Sequence, residues 1–540
     1  MITKLLFYLA LVLLTFTSGL SQSESTILHT DKEFYVTGET IWYKYYLPHA
    51  PAGKEAAIKA ILLDQSGRII QSYFCSTHGA TFIYGQFEIP FDLPTSWYQL
   101  VFSNFDPKSR LENLLIGTYI PIYNDLLPYP PLNTSSLVNN SDVPNSGISL
   151  NINLSQEKIR PRKEMEIELI LTDSSKMPIS GNASITILDK NLNTVFETLH
   201  TSHIGVNDAG ISYHNVFNFD FETSAREKNN REYIGIFLKE SFKFRYVSSL
   251  NNNFTLVLDP FAGEKESQQF FISDFNKPIS KTCLSLGPLA SVLPFNPQIQ
   301  QYLEWSRTRK KTLSIFPAPG PPMIKAISKS ELKDMPTPDR SIEVSKYDEF
   351  EDVFSFFKEL NTPLKFKLDK NKRIIASVYN TEISTELEGK PVFIIDGRVT
   401  DRADWIARLP MATIKKVDIF FNTKILLNYF GMIGRSGMII IQTKTNLNMP
   451  DSIAHFENKL NGYIPMKGSF EIKKEQIESR HTPLFKPLVY WNANIELDKK
   501  GRARIKFFHS DDIGDFIVKV VAMDNNGNIT SSNSKYKVTP

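Results

Sequence analysis

Alternation of apolar and polar residues is the main signal in the first part of the chain. After a turn at Thr37-Gly38-Glu39, every second residue of the next strand faces the same way. One face carries Ile41, Tyr43, Tyr45 and Leu47, and the other carries Trp42, Lys44 and Tyr46. The hairpin AILLDQSGRIIQSYF follows, with Asp64 to Gly67 as its turn. The pattern predicts an antiparallel β-sandwich over 22–126.

The same pattern returns after a loop that is rich in Pro, Asn and Ser. A shift of 124 residues aligns Pro161 with Thr37, and both strands follow a lysine and a turn. The alternating apolar positions of the second copy are Met165, Ile167, Leu169 and Leu171. This internal repeat predicts a second β-sandwich over 146–258.

The two copies resemble the macroglobulin domains of the alpha-2-macroglobulin family. The resemblance rests on TDKEFYVTGETIWYKYYL and on the weaker copy EKIRPRKEMEIELIL. That family usually has Pro-Gly at the turn. The first copy keeps the glycine, in Thr37-Gly38, and the second keeps the proline, in Pro161-Arg162.

Residues 259–345 carry little periodicity, and their Pro-dense run predicts an irregular β or linker region. An amphipathic helix is then predicted in YDEFEDVFSFFKELN, followed by short strands in PLKFKL and RIIASVY. The apolar positions of that helix are Phe350, Val353, Phe354, Phe357 and Leu360.

The next stretch predicts a small α/β unit whose sheet is buried on both faces. VFIID is a strand, Asp396-Gly397 a turn, and RADWIARL a short helix with Asp404 as a possible cap. IKKVDIFF and MIIIQTK are two further strands, separated by a glycine-marked turn. With its preceding helix, this unit spans 346–446.

The α/β unit resembles the plug domain of TonB-dependent receptors. The matching segments are Ile395-Asp396-Gly397, Ile414 to Ile419, Gly434 to Gly437 and Met438 to Lys444, in that order. The sequence departs from receptors at TKILLNYFGMIGRSG, so no ligand-facing role is carried over. We do not expect a receptor, because the 95 residues after Thr445 cannot supply a barrel of several hundred residues.

A connector over 447–480 and a separate C-terminal β-domain over 481–540 complete the predicted organisation. The last domain contains three or four strands with turns at Asp498 to Gly501 and Asp524 to Asn528. It resembles the β-domain that accompanies macroglobulin modules in bacterial surface proteins. The order of domains resembles a family of secreted, outer-membrane-associated proteins of Gram-negative bacteria. The predicted fold class is mainly β, with tandem macroglobulin-like sandwiches, a plug-like α/β unit and a C-terminal β-domain.

The N-terminus predicts export. Lys4, the apolar run Leu5 to Leu14 and the small-residue exit SGLS form a secretory signal peptide over 1–21. We expect the protein in the periplasm, at the outer membrane or at the cell surface. No later segment is long and apolar enough to span a bilayer as a helix, so we expect membrane association only through a partner. A net charge of +3 over 540 residues gives no footprint for nucleic acid.

Several residue groups were tested for chemistry. Cys75 and Cys283 could pair in an oxidising compartment or remain two buried thiols. Neither has a Gln placed for the thioester that traps proteases in alpha-2-macroglobulin relatives. His200 and His203 form an H-x-x-H pair that one face of a helix could offer to a zinc ion, and His214 follows eleven residues later. That region predicts strand and loop and lacks the Glu of a metalloprotease helix, so surface histidines are the favoured interpretation.

Three further groups have ordinary structural interpretations. His509 with Asp511 and Asp512 lies between two strands and predicts a solvated turn. Gly431 to Gly437 runs into a strand rather than a helix, which favours a turn over a phosphate-binding loop. The aromatic residues of the first sandwich could form a sugar- or peptide-binding platform, but their alternation favours the core. They are Trp42, Tyr43, Tyr45 and Tyr46.

No catalytic, cofactor-binding or metal-binding residue is therefore predicted. The favoured hypothesis is a non-enzymatic interaction or scaffold protein of the Gram-negative cell envelope. Its partner would be an outer-membrane barrel or transport complex, bound through the plug-like and macroglobulin-like domains. The alternative is a thioester-less, macroglobulin-like protease inhibitor or host-factor binder, with the Pro-dense region 316–340 as a bait-like loop.

Overall fold

The computed structural model describes most of the chain. The described residues are 27–47, 57–106, 111–133, 147–193, 200–202, 215–221, 232–238, 243–249, 253–258, 267–272, 278–280, 286–287, 292–315, 336–344, 350–445, 447, 449–450, 457–460, 463, 466–479 and 481–540. They form two compact units. The first contains the described residues within 1–213, 283–320 and 465–540, and the second contains those within 214–282 and 321–464. The predicted signal peptide lies outside the described residues. The described part is mainly β, as the sequence predicts.

The first sandwich consists of eight strands. They are β1 (Ile27–Thr30), β2 (Tyr35–Val36), β3 (Thr40–Tyr46), β4 (Ala57–Leu63), β5 (Ile69–Ser76), β6 (Phe82–Glu88), β7 (Ser96–Asp106) and β8 (Leu111–Tyr123). One sheet has the order β1-β3-β6, and the other has the order β8-β7-β4-β5, with β2 parallel to β8. Tyr43 and Tyr45 project between the sheets, with ring centroids 5.0 and 5.3 Å from that of Phe102. The alternating aromatic side chains of β3 thus form part of the sandwich core.

The second sandwich begins with four strands that repeat the first four. They are β9 (Ile148–Leu154), β10 (Lys158–Ile159), β11 (Glu164–Asp173) and β12 (Gly181–Asp189). Gly38 and Arg162, which the 124-residue shift aligns, both have a left-handed backbone, with φ of 80° and 58°. The apolar face of β11 is buried as predicted, and the intervening positions are not. The local pattern of the first copy is therefore reproduced.

A long insertion follows β12. It begins with β13 (His200–Ser202), which pairs with β8 of the first sandwich. Six strands of the second unit come next: β14 (Asn215–Phe221), β15 (Glu232–Leu238), β16 (Lys243–Ser249), β17 (Asn253–Leu258), β18 (Ser267–Ile272) and β19 (Pro278–Ser280). The chain then returns to the first unit for the helix α1 (Pro297–Ile315).

The α/β unit forms the second half of the insertion. Its elements are β20 (Arg340–Glu343), α2 (Val353–Glu359), β21 (Leu364–Leu368), β22 (Ile374–Asn380), β23 (Thr385–Glu386), β24 (Val392–Ile395), β25 (Arg398–Thr400), α3 (Ala403–Ala407), β26 (Ile414–Phe420), α4 (Thr423–Ile425) and β27 (Met438–Thr443). The strand β28 (Glu457–Leu460) follows and pairs with β18 instead. The main sheet has the order β20-β26-β27-β24-β25, with β24 parallel to β27. Both central strands are buried on both faces, as predicted.

Two local features of this unit follow from its sequence. Asp352 caps α2 by accepting a hydrogen bond from the Ser355 amide at 2.8 Å. Phe356 and Phe357 of the same helix are fully buried. Asp396 accepts hydrogen bonds from the amides of Thr443 and Leu447, both at 3.0 Å. The Ile-Asp-Gly turn therefore holds the end of the last strand, so two segments of the predicted motif meet in space.

The chain then returns to the first unit with strands that complete the second sandwich. They are β29 (Ser469–Glu471), β30 (Leu488–Leu497), β31 (Arg502–Phe508), β32 (Gly514–Asp524) and β33 (Ile529–Val538), and the short helix α5 (Lys474–Glu478) lies between β29 and β30. One sheet has the order β9-β11-β31, and the other has the order β33-β32-β12-β30-β29, with β10 parallel to β33. Strands β9 to β12 and β30 to β33 thus correspond in order and pairing to β1 to β8.

This arrangement differs from the predicted division of the chain. Residues 481–540 are not a separate domain, because β31 pairs with β11 and β32 pairs with β12 in continuous register. The predicted sandwich over 146–258 keeps only its strands up to Asp189. The region 259–345 includes the 19-residue helix α1, and the connector 447–480 includes β28, β29 and α5. Each element satisfies a local pattern, but the partners of a strand are set by the whole core.

The two sandwiches pack directly on each other through the second face of β3. Tyr46 donates from its hydroxyl to the Val521 carbonyl at 2.8 Å, and Lys44 donates to the side chain of Asn182. His29 hydrogen-bonds to Ser184 at 2.6 Å, and Lys519 pairs with Glu33 at 2.7 Å. The four sheets of the first unit are therefore stacked into one frame.

Candidate functional site

The histidine cluster predicted as a surface feature is only partly described. His200 belongs to β13, and His203 and His214 lie outside the described residues. Among the described residues, no group of three or more His, Cys, Asp and Glu side chains is placed to hold a metal ion. In the same part of the chain, no helix has the length and apolar character to cross a membrane.

The segment from His509 to Asp512 is not a solvated turn, and this prediction is wrong. His509 is fully buried against Phe516, with ring centroids 4.4 Å apart, and burial lowers its pKa to about 4. Asp511 forms a two-pronged ion pair with Arg162, at 2.5 and 2.7 Å. The same guanidinium donates to the carbonyls of Ser479 and Thr482. The segment therefore fastens the end of the insertion to the second sandwich.

Cys75 and the aromatic residues of β3 are structural. Burial raises the pKa of the Cys75 thiol to about 12, and its sulfur lies 3.4 Å from the Tyr43 hydroxyl. Such a thiol is protonated at neutral pH and is a poor nucleophile. Trp42, Tyr43, Tyr45 and Tyr46 are all buried, which excludes a binding platform on this strand. Cys283 lies outside the described residues, so the two alternatives, a disulfide with Cys75 or two buried thiols, both stay open.

The glycine segment of the α/β unit is a turn, as predicted. Residues Gly431–Ser436 form a short 3-10 helix that leads into β27. Gly437 has a φ of 100°, and a Cβ there would lie 2.7 Å from a methyl carbon of Val378. Asp404 is not the cap of α3, because it lies in the first turn and contacts the Arg402 side chain at 3.3 Å.

The densest group of buried charges lies where α1 docks on the first sandwich. We call it the helix junction, and it consists of Asp31, Lys32, Glu39, Asp125, Tyr302, Arg309 and Lys310. Glu39 comes from the turn that the sequence singled out, and its carboxylate receives four groups. Lys32 donates to it at 2.6 Å, the Val36 amide at 3.1 Å, Tyr302 at 3.0 Å and Arg309 at 3.4 Å.

A second ion pair lies beside the first. Lys310 donates to Asp125 and to the carbonyl of Thr37, both at 2.6 Å. Arg307 donates to the Asp125 carbonyl at 2.6 Å and lies 4.9 Å from the Tyr129 ring centre. The basic half of α1 is therefore matched to carboxylates and carbonyls of the first sandwich.

The apolar face of α1 contacts both sandwiches. The cluster contains Ile299, Tyr302 and Leu303 of the helix, Phe34 and Tyr123 of the first sandwich, and Leu188 and Ile517 of the second. The signal for this helix was present in QIQQYLEWS, because Ile299, Tyr302, Leu303 and Ser306 recur at helical spacing and are buried. The helix replaces part of the irregular β or linker region that was predicted over 259–345.

Two of the junction carboxylates, Asp31 and Glu39, have pKa values shifted in opposite directions. Burial raises the pKa of Asp31 to about 6, although Lys32, Tyr35 and the Trp42 amide all favour its charged form. Burial alone would also raise the pKa of Glu39, but Lys32 and Arg309 outweigh it and lower that pKa to about 2. Such a pair could serve acid and base chemistry. Asp31 is 1% exposed, however, so no substrate can reach it, and the junction holds α1 in place instead.

Comparison with known proteins gives weak similarity only. No family model matches the chain, and no curated protein matches it. Similar solved structures include E. coli alpha-2-macroglobulin in its native conformation, at 9% identity over 96% of this chain and a TM-score of 0.24. Salmonella alpha-2-macroglobulin reacted with methylamine is 8% identical over 95% of this chain, with a TM-score of 0.24. E. coli alpha-2-macroglobulin activated by porcine elastase is 8% identical over 95% of this chain, with a TM-score of 0.25.

The chain spans less than half the length of these solved structures, which it covers to 40%, 39% and 44%. At such TM-scores the superpositions carry no argument about this chain.

Proposed function

We propose that the protein is a non-enzymatic scaffold of the Gram-negative cell envelope that presents its inserted α/β unit to a membrane-protein partner. One observation carries the proposal: the chain enters the second unit twice, and each time it returns to the same frame of stacked sandwiches. The predicted signal peptide and the resemblance of the α/β unit to receptor plugs point to an outer-membrane barrel or transport complex as partner.

The chemistry of the described residues supports the same proposal. Three ionisable groups that the sequence offered as candidates for chemistry are engaged in packing: His509 in the core, Asp511 with Arg162, and Cys75 beneath Tyr43. The helix junction holds the returning segment of the insertion on the frame. We therefore assign to these groups the role of fixing the frame, and we assign binding to the inserted unit.

Site-specific photocrosslinking in intact cells tests this function. A photoreactive residue replaces Tyr429, which is 49% exposed in the α/β unit, or Met177, which is 61% exposed on the frame. We expect a membrane-protein adduct from position 429 and little from position 177. Recovery of the free monomer alone from both positions, after membranes are solubilised, would contradict the proposal.

The alternative, a protease inhibitor or host-factor binder, rests on the macroglobulin resemblance. Most of its bait-like region, 316–335, lies outside the described residues. Incubation with several proteases separates the two functions. A scaffold is cleaved without slowing the protease, whereas an inhibitor slows it after cleavage between 316 and 340.

A further inference from the structure

The tip of the β21–β22 hairpin exposes large apolar side chains. Leu368 is 61% exposed at the end of β21, and Ile375 is 40% exposed near the start of β22. They belong to opposite faces of the hairpin, because Leu368 pairs with Ile374 and Ile375 pairs with Lys367. Phe366 and Val378, further from the tip, are buried in the core. The end of the hairpin therefore exposes two large apolar side chains, and Tyr379, further along β22, is also 40% exposed.

The same tip carries a local excess of positive charge. Lys370, Lys372 and Arg373 are all exposed, and no ion pair engages them within the described residues. The one carboxylate of the turn, Asp369, accepts hydrogen bonds from the amides of Asn371 and Arg373, both at 2.8 Å. That carboxylate is held against the backbone of its own turn. Three cations thus surround an apolar end.

Another hairpin of the protein shows that the cations alone do not define this feature. Asp498 caps the β30–β31 turn in the same way, with the amides of Lys500 and Arg502 at 2.8 and 2.9 Å. Lys499, Lys500 and Arg502 supply three cations there, but the preceding Leu497 is only 3% exposed. The two turns match in backbone geometry and in the number of cations. They differ in apolar exposure, and Arg502 also contacts the Glu168 carboxylate at 3.7 Å.

We propose that the β21–β22 tip binds an anionic membrane surface directly. In this mode Leu368 and Ile375 enter the boundary between headgroups and acyl chains, and the three cations contact lipid phosphates. Clustered cations are attracted to anionic lipids, and an exposed apolar side chain gains from leaving water at that boundary. An acidic protein surface would satisfy only the cations, whereas an anionic membrane surface would also take up the two apolar side chains beside them. The inference goes beyond the proposed scaffold function, which needs no lipid contact.

Vesicle binding by the purified full-length protein tests the inference, since such vesicles contain no protein partner. The vesicles are phosphatidylcholine with or without phosphatidylglycerol. The tip variant is Lys370→Gln, Lys372→Asn and Arg373→Gln, with Asn chosen because residue 372 has a left-handed backbone at φ 59°. Its matched control is Lys499→Gln, Lys500→Gln and Arg502→Gln. A second variant, Leu368→Ser, is matched by Ile513→Ser on the frame, where Ile513 is 57% exposed.

We expect binding only to the anionic vesicles. The tip variant should bind about 100-fold more weakly, at roughly 5-fold for each charge removed, and its control should change little. Leu368→Ser should also weaken binding roughly 10-fold, and Ile513→Ser should not. The inference is overturned if the wild-type protein does not bind, or if both triple variants lose binding equally. Loss of binding in the tip variant with no effect of Leu368→Ser would also overturn it, because the contact with the vesicle would then be electrostatic only.

Discussion

At the scale of single residues, one turn design occurs five times in the part of the chain that the structure describes. An aspartate accepts hydrogen bonds from the amides two and four residues later, and the residue between those two has a positive φ. The aspartates are Asp64, Asp173, Asp369, Asp498 and Asp524. Glycine occupies the left-handed position in three of these turns, and Lys176 and Lys372 occupy it in the others. The sequence revealed the glycine turns only, because lysine seldom adopts that backbone.

Replacing Gly501 by Ala tests how closely this turn packs on its neighbours. Gly501 has a φ of 66°, and a Cβ there would lie 2.3 Å from the carbonyl oxygen of Leu171. The free energy of unfolding should therefore fall by about 3 kcal/mol in chemical denaturation. Gly147→Ala is the matched control, because Gly147 has a φ of 72° with nothing within 4 Å of the added carbon. It should cost about 1 kcal/mol, and equal losses in the two variants would contradict the packing argument.

Asp31 should make stability depend on pH in the mildly acidic range. Its pKa is raised from 3.8 to about 6, so the folded protein binds the proton more tightly than the unfolded chain does. The stabilisation is complete below pH 4 and is lost as the pH rises through 6. Asp31→Asn should keep the hydrogen bond from the Trp42 amide and remove that loss. At pH 7 it should be more stable than the wild type by about 2 kcal/mol.

Denaturation at several pH values checks the effect of Asp31→Asn. The gain should disappear near pH 4, where Asp31 of the wild type is protonated. A variant that is destabilised equally at pH 4 and pH 7 would show that the charge state of Asp31 is not the cause.

The residues that fix the frame could be predicted only in part from the sequence. The turn containing Glu39 was recognised from Gly38, but its partners Tyr302 and Arg309 come from a helix more than 250 positions away. His509 looked solvated because polar neighbours follow it. Its burial depends on Phe516 and Tyr536, which the neighbouring strands of the same sandwich supply.

At the scale of elements, β3 shows where alternation stops being informative. Its two faces were predicted correctly, but the face with Lys44 is buried as completely as the face with Tyr43. The reason is that the second sandwich covers it, and sandwich-to-sandwich packing leaves no trace in the period of one strand. The Lys44 ammonium lies 4.2 and 4.1 Å from the ring centres of Tyr46 and Phe82, so the burial is partly compensated.

Lys44→Met should remove a pH dependence on the alkaline side. Burial lowers the pKa of Lys44 well below 10.5, so the folded protein disfavours its charged form. The wild type therefore gains stability as the pH rises towards 10.5. In urea denaturation, the free energy of unfolding of the variant should fall steadily relative to that of the wild type between pH 7 and pH 10. Lys535→Met, at an exposed position, should show no such slope, and the same flat profile for Lys44→Met would contradict the buried charge.

Glu39→Gln should loosen the docking of α1. The substitution leaves Lys32 and Arg309 without their carboxylate in a buried site, which should destabilise the protein by about 3 kcal/mol. Limited proteolysis should show faster cleavage within Pro297–Ile315 than in the wild type. Glu304→Gln, on the exposed side of the same helix, should leave the cleavage rate unchanged. Equal protection of α1 in the wild type and Glu39→Gln would mean that the ion pairs do not hold it.

At the scale of the whole molecule, the internal repeat was the most informative sequence signal. The 124-residue shift aligned turns and strands that adopt the same conformation. It did not reveal that β30 to β33 complete the second copy, because about 300 residues separate them from β12. The sequence of one strand does not show whether the strands that pair with it lie nearby or far away in the chain. The C-terminal strands therefore looked like a domain of their own.

Native-state hydrogen exchange tests the central claim, which is that strands β9 to β12 and strands β30 to β33 form one sandwich. In β11 and β31, Ile167 pairs with Ile505, although they are far apart in the chain. Exchange followed by mass spectrometry at rising denaturant concentration gives an opening free energy for each strand. We predict the same opening free energy and the same denaturant dependence for β11 and β31. Exchange of β31 at a clearly lower free energy, while β11 stays protected, would contradict the shared sandwich and the scaffold built on it.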